Sequence, residues 1–149
     1  MGHDARAPFS WPVRVYWEDT DGGGVVYHAR YLHFFERART EWLRHLGFAQ
    51  SELRATHNIV FTVYRLALDF IRPARLDDEL SATVAVEAVG RASLQLAQIL
   101  RRGGEPLARA TVHAACVTAD GFRPRRIPAD ILLALTRYPY TKLPCRNKP

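Results

Sequence analysis

"YLHFFERARTEWLRHLG", Tyr31 to Gly47, is the stretch on which the fold turns. Tyr31, Phe34, Phe35, Ala38, Trp42, Leu43 and Leu46 recur at spacings of three and four, and Arg30, Glu36, Arg37, Glu41 and Arg44 fill most of the other positions. That period predicts an amphipathic helix of about four or five turns, with Gly47 as its stop. Its apolar side carries Tyr31, Phe34, Phe35 and Trp42, so the helix must lie deep against a large surface.

The surface to cover it comes from the rest of the chain. Upstream, "PVRVYWED" (Pro12 to Asp19) alternates Val13, Val15 and Trp17 against Arg14 and Tyr16 and reads as a first strand. Downstream, "AQSELRATH" reads as a second, shorter helix. "VFTVYRLALDF" places Val63, Arg65, Ala67 and Asp69 on one face and Thr62, Tyr64, Leu66, Leu68 and Phe70 on the other, before Pro73 breaks the run. "ELSATVAVEAVG", "ASLQLAQILRR" and "PLARATVHAACVTA" follow as strands, the last two split by the turn signal "GGEP". "PADILLALTRY" reads as a short helix with Pro128 in its first turn.

Strands joined by short turns pair antiparallel. One face of such a sheet needs an apolar cover, and the Tyr31 helix is the large one available. The expected class is therefore α+β, a curled antiparallel sheet of about five strands wrapped around one long central helix. One domain over residues 1–149 is expected, with residues 1–10 and the Pro-rich tail 138–149 flexible.

Composition narrows the function classes. With 48% hydrophobic and 24% charged residues the chain is that of a soluble globular protein. No apolar run reaches the length of a bilayer span or of a signal-peptide core, which points to the cytoplasm. Cys116 and Cys145 have no metal-site spacing and read as a reduced pair, and the six histidines are scattered, so no metal is expected. The net charge of +6 is carried almost wholly by arginine, whose planar fork suits phosphate. No helix-turn-helix extension accompanies that charge, so nucleic acid is not the expected partner.

Between first strand and helix lies "EDTDGGG" (Glu18 to Gly24). Asp and Gly make turns, since Asp bonds its own backbone and Gly accepts positive φ. Two features argue for more than a turn. Three acids bunched together repel one another at short range. The glycines also precede a helix start, where unpaired N–H groups and the positive dipole end stabilise a developing oxyanion. A carboxylate beside such donors makes a hydrolytic site.

"DTDGGGVVYHARYLHFFERARTEWLR", preceded by "VRVYWE", resembles the opening signature of the hotdog-fold acyl-CoA thioesterases of the 4-hydroxybenzoyl-CoA thioesterase type, closest to the bacterial branch associated with the Tol-Pal cell-envelope system. The resemblance continues through "FIRPARLDDEL" (Phe70 to Leu80) to "PRRIP" (Pro124 to Pro128) and covers roughly residues 12 to 135. It implies hydrolysis of an acyl-coenzyme A, or of an acyl carrier protein thioester, to free acid and thiol, with no cofactor beyond the coenzyme A of the substrate. The family's catalytic carboxylate falls on Asp21, as nucleophile or general base. Its oxyanion donor falls on the backbone N–H of His28 or a neighbour such as Tyr27, with the His28 side chain lining the pocket or bonding to backbone. Asp19 orients the loop, and Glu36, which matches a helix glutamate catalytic in another hotdog branch, makes a structural hydrogen bond. Arg72, Arg101 and Arg125 are candidates for the coenzyme A phosphates. The resemblance also implies a homodimer or homotetramer with the acyl pocket between chains. Two rivals stay open: a hotdog hydratase or dehydratase, and a non-catalytic acyl-CoA-binding module.

Overall fold

A computed structural model of the chain describes residues 7–137. The central helix, α1, spans Arg30–His45, and its buried residues are Tyr31, Phe34, Phe35, Ala38, Trp42 and Leu43. Leu46 packs against the same core less completely. Gly47, at φ 93°, ends the helix. The Gly47 N–H donates to the Arg44 carbonyl (3.0 Å) and the Phe48 N–H to that of Leu43 (2.9 Å), the paired bonds by which a left-handed glycine closes a helix.

Five strands follow the expected plan: β1 (Phe9–Arg14), β2 (Ile59–Phe70), β3 (Glu79–Val89), β4 (Ser93–Arg102) and β5 (Glu105–Thr118). They form one antiparallel sheet in the order β1-β3-β4-β5-β2. Its inner face presents Leu80, Ala82 and Val84 from β3, Leu94, Leu96 and Leu100 from β4, and Ala108, Ala110 and Val112 from β5, all buried in one core with the α1 aromatics. α1 lies closest to β3 and β1, where small residues such as Ala82 leave room for its bulky side chains. No helix among the described residues is long and apolar enough to cross a membrane.

Three expectations need correction. β1 begins at Phe9, inside the stretch expected to be flexible, and ends at Arg14. Val13 and Val15 point inward as expected, but Trp17 to Asp19 form a 3-10 turn and Trp17 is 79% exposed. The cause is Asp19, whose Oδ2 accepts the Tyr16 N–H at 2.8 Å and whose own N–H returns to the Tyr16 carbonyl at 3.0 Å, closing a turn where alternation alone suggested a strand.

In β2 a bulge at Tyr64 breaks the pairing with β5 between Val63 and Arg65. Two residues there oppose one, so the alternation changes phase. Val63 shares the inner face with Leu66, Leu68 and Phe70, not with Arg65, because it pairs with Ala114 as they pair with Val112, Ala110 and Ala108. The second helix has the expected extent but not a uniform winding. Helix α2 (Gln50–Glu52) runs at once into a π turn, Leu53–His57, and Asn58 at φ 52° ends it. Helix α3 (Ala129–Thr136) sits where the sequence put it, with Pro128 as its N-cap and Ile131 and Leu135 buried. Cys116 is buried and free; Cys145 and the tail 138–149 lie outside the described residues.

Candidate active site

The acidic loop is a small hairpin. Thr20 bridges Val26, and the Asp21 N–H donates to the Val25 carbonyl at 2.9 Å. The turn needs Gly24 at φ 80°, and it brings the Gly23 N–H to Asp21 Oδ1 at 2.7 Å. A Cβ on Gly23 would stand 3.1 Å from that same oxygen, so a side chain here would press on the carboxylate. The glycines therefore shape the hairpin and hold Asp21, and residues 25–29 separate them from α1; they are not the helix start that the sequence suggested.

The base of the hairpin is pinned from two sides. The Val26 N–H donates to the Ala74 carbonyl at 2.8 Å, and Val25 bridges Arg75. The Ala74 N–H in turn donates to the Tyr31 hydroxyl oxygen at 3.0 Å, tying residues 71–78 to the first turn of α1. Arg102 holds that segment from the sheet. Its Nη1 donates to Asp78 Oδ2 at 2.7 Å and to the Pro73 carbonyl at 3.4 Å, and its Nη2 donates to Glu105 at 3.4 Å. The bond to Asp78 raises the Arg102 pKa above its ordinary value.

The carboxylates of the loop differ sharply. Asp19 is 2% exposed, bonded to the Tyr16 N–H, with Arg30 Nε 3.9 Å away. Asp21 is exposed, and its second oxygen meets no donor among the described residues. Glu18 is exposed as well. Of the two backbone donors proposed for an oxyanion, Tyr27 N–H is already committed to the Asp19 carbonyl at 2.8 Å. The His28 N–H meets no acceptor among the described residues, and it lies just ahead of the α1 N-terminus. The His28 ring is exposed and packs against that of Tyr27, centroids 4.5 Å apart. Glu36 is exposed on α1 and accepts the Thr40 hydroxyl at 2.9 Å.

The three candidate arginines are divided. Arg72, paired with Glu105 at 3.5 Å, and Arg101 lie at the end of the sheet that carries the Asp21 hairpin. Arg125 does not: its N–H bonds the Cys116 carbonyl, near the opposite end of β5, on the order of 30 Å along the strand from Glu105. Sequence reading missed Arg39. It falls four residues after Phe35 and three before Trp42, hence on the apolar stripe of α1, and that position was the available signal. The structure sets it half-buried, with Nη1 donating to Oε1 of the buried Gln98 at 2.9 Å.

Asp19→Asn keeps an acceptor for Tyr16 but removes the charge beside Arg30. The loop is expected to lose part of its fixed geometry, read as faster amide exchange at Tyr16 and Tyr27. A melting curve recorded in parallel should shift down by a few degrees at most, since an Asn oxygen can still accept the Tyr16 N–H.

A family model described as the thioesterase superfamily matches residues 23–108. The acyl-CoA thioesterase YbgC of Haemophilus influenzae is 49% identical over 126 residues, 85% of this chain and 93% of that protein. The acyl-CoA thioester hydrolase YbgC of an Escherichia coli O6:H1 strain is 44% identical over 125 residues, 83% of this chain and 92% of that one. Among solved structures, the probable thioesterase of Bartonella henselae superposes with a TM-score of 0.79 at 37% identity, over 82% of this chain and 100% of its own.

Proposed function

This chain belongs to the thioesterase superfamily, and on that premise we propose how it acts as an acyl-CoA thioester hydrolase: Asp21 is the working carboxylate and the His28 N–H the oxyanion donor. The observation that carries the reading is the contrast within one loop. Asp19 is buried and bonded, whereas Asp21 is held by Gly23 through one oxygen and presents the other to solvent. A substrate carbonyl oxygen resting on the His28 N–H polarises the acyl carbon, aided by the positive end of α1. Asp21 then either takes a proton from water as that water adds, or adds to the carbon itself before hydrolysis. The carbon–sulfur bond breaks, the acid is released, and the proton ends on the departing thiolate.

The carrier is coenzyme A, or an acyl carrier protein bearing the same pantetheine arm, and no other cofactor takes part. Arg72 and Arg101 stand at the right end of the sheet for the coenzyme A phosphates. Arg125 meets them only from a second chain. The β2 edge supports such pairing: among the described residues it has no strand beyond it, and it exposes Val63, Tyr64 and Phe70. A long apolar edge of this kind invites a second copy. A two-fold pair of β2 edges sets each chain's Asp21 end beside its partner's Arg125 end. The enzyme acts in the cytoplasm, as a member of the Tol-Pal-associated branch of the 4-hydroxybenzoyl-CoA thioesterase type. The test is thiol release from short aliphatic, long aliphatic and aromatic acyl-CoAs. Steady release from at least one class is expected; tight binding of all with no release would replace hydrolysis by the acyl-CoA-binding reading.

A further inference from the structure

A cavity of about 260 Å³ opens between the second half of α1 and the inner face of β2, β4 and β5. Its lining is mixed, with Trp42, Phe61, Leu94 and Leu96 beside Glu36 and Arg39 of α1. The volume lies just below the usual range for small-molecule pockets, about 300–1,000 Å³. It suits one acyl group and not a nucleotide-bearing carrier as well.

Arg39 is unusual in this setting. A guanidinium has five N–H donors, and here one of them has a bond, that from Nη1 to Gln98 Oε1. Gln98 is 1% exposed and fixed in turn, its amide donating to the Phe35 carbonyl at 3.1 Å and to that of Thr83 at 3.4 Å. No carboxylate among the described residues comes within ion-pair distance of Arg39; the nearby Glu36 is engaged with Thr40. Burial pulls the Arg39 pKa down and the Glu36 charge opposes that. A partly buried guanidinium with one side-chain bond is a group ordinarily paired, and its remaining donors are not sealed from solvent, so they are open to a ligand in the cavity. A mere tie between helix and sheet would need only the Gln98 bond and would not turn the cation toward a cavity.

We propose that this cavity receives the acyl group of the substrate and that Arg39 determines specificity there, favouring acyl groups that carry an oxygen acceptor at their far end over plain hydrocarbon tails. This rests on the thioesterase reading above. Arg39 stands about 13 Å along α1 from its first residue, so it meets the far end of an acyl chain and not the reacting carbonyl. A site built to bond an oxygen discriminates strongly against the analogue that lacks it, because its buried polar group is then left unmet.

The experiment compares acyl-CoAs matched in length that end in methyl, hydroxyl or carboxylate, over a series of lengths, for wild type, Arg39→Met and Arg39→Lys. Wild type is expected to show kcat/KM at least about tenfold higher for an oxygen-ended chain than for its methyl twin at the best length. Arg39→Met should erase that ratio, mainly through a higher KM for the oxygen-ended chain; Arg39→Lys should restore part of it. Preference for carboxylate would make Arg39 a counterion, and preference for hydroxyl would show Glu36 excluding negative charge; both support the proposal. Equal or better hydrolysis of methyl-ended chains by wild type at every length overturns it, whether or not the variants fold. If wild type releases no thiol from any chain, the hydrolase reading fails, and calorimetric binding of the same pairs still decides this one: no preference for the oxygen end overturns it.

Discussion

Asp21→Asn is expected to fold like wild type and to lose roughly 10²- to 10⁴-fold in thioester hydrolysis, the loss that goes with removing one positioned acid–base group. Asparagine is the right substitution because its amide oxygen can still accept the Gly23 N–H, so the hairpin keeps its shape. The side chain is exposed, and the change costs little stability. What disappears is the second oxygen as a base or nucleophile, worth about 3–5 kcal/mol of barrier at that loss. Thiol release by wild type, Asp21→Asn and Glu36→Gln, at equal folded concentration, decides the assignment. Glu36→Gln should lose far less, since its carboxylate serves Thr40 and borders only the far end of the acyl cavity. Should Glu36→Gln lose activity while Asp21→Asn keeps it, the helix carboxylate is the working group and the hairpin only a turn.

How much of this was legible before folding differs from element to element. α1 could be read to within one residue at its start, because six buried side chains recur at the helical period and a left-handed glycine closes it. The β5 alternation was equally plain, with Ala108, Ala110, Val112, Ala114 and Cys116 all inward. The Tyr64 bulge had no such trace: alternation runs on smoothly through Val63 and Arg65, and the extra residue is visible only against the register of β5. In the loop, the Asp-Gly composition pointed to a built turn, and it left the two aspartates chemically equivalent. They part company only when Asp19 folds back on Tyr16 and Arg30 and its carbonyl takes the Tyr27 N–H, eight residues on. Long-range hydrogen bonds of this kind carry no spacing rule. Arg39 shows the converse: its place on the apolar stripe was readable, but its meaning depends on Gln98, fifty-nine residues away.

Phe34→Ala joins the core to the loop and should have the largest effect on stability. Phe34 is 0% exposed, and its ring lies 6.2 Å from that of Tyr31, which meets Phe70 edge-on at 5.2 Å. Truncation removes a fully buried aromatic and leaves a cavity, a loss of about 3–5 kcal/mol. That is a large part of the roughly 5–15 kcal/mol that stabilises an ordinary domain, and it should lower the melting temperature by roughly 10 °C. Activity should suffer beyond the unfolded fraction. Tyr31 carries the hydroxyl that accepts the Ala74 N–H, and Ala74 accepts from Val26 at the base of the Asp21 hairpin, so a Tyr31 ring with room to move loosens the Asp21 carboxylate. Ile59→Ala is the control: it is 0% exposed at the opposite end of the sheet, outside the acyl cavity, and costs a comparable amount of about 2–5 kcal/mol. Measured by melting and by thiol release at a temperature where both variants are folded, Phe34→Ala should lose about tenfold more activity than Ile59→Ala per kcal/mol of lost stability. Equal losses would mean that the core supports the loop only by keeping the chain folded. A larger loss in Phe34→Ala would place the catalytic geometry under the control of one aromatic chain, Phe34 to Tyr31 to Ala74 to Val26, running from the centre of α1's buried face to the hairpin that holds Asp21.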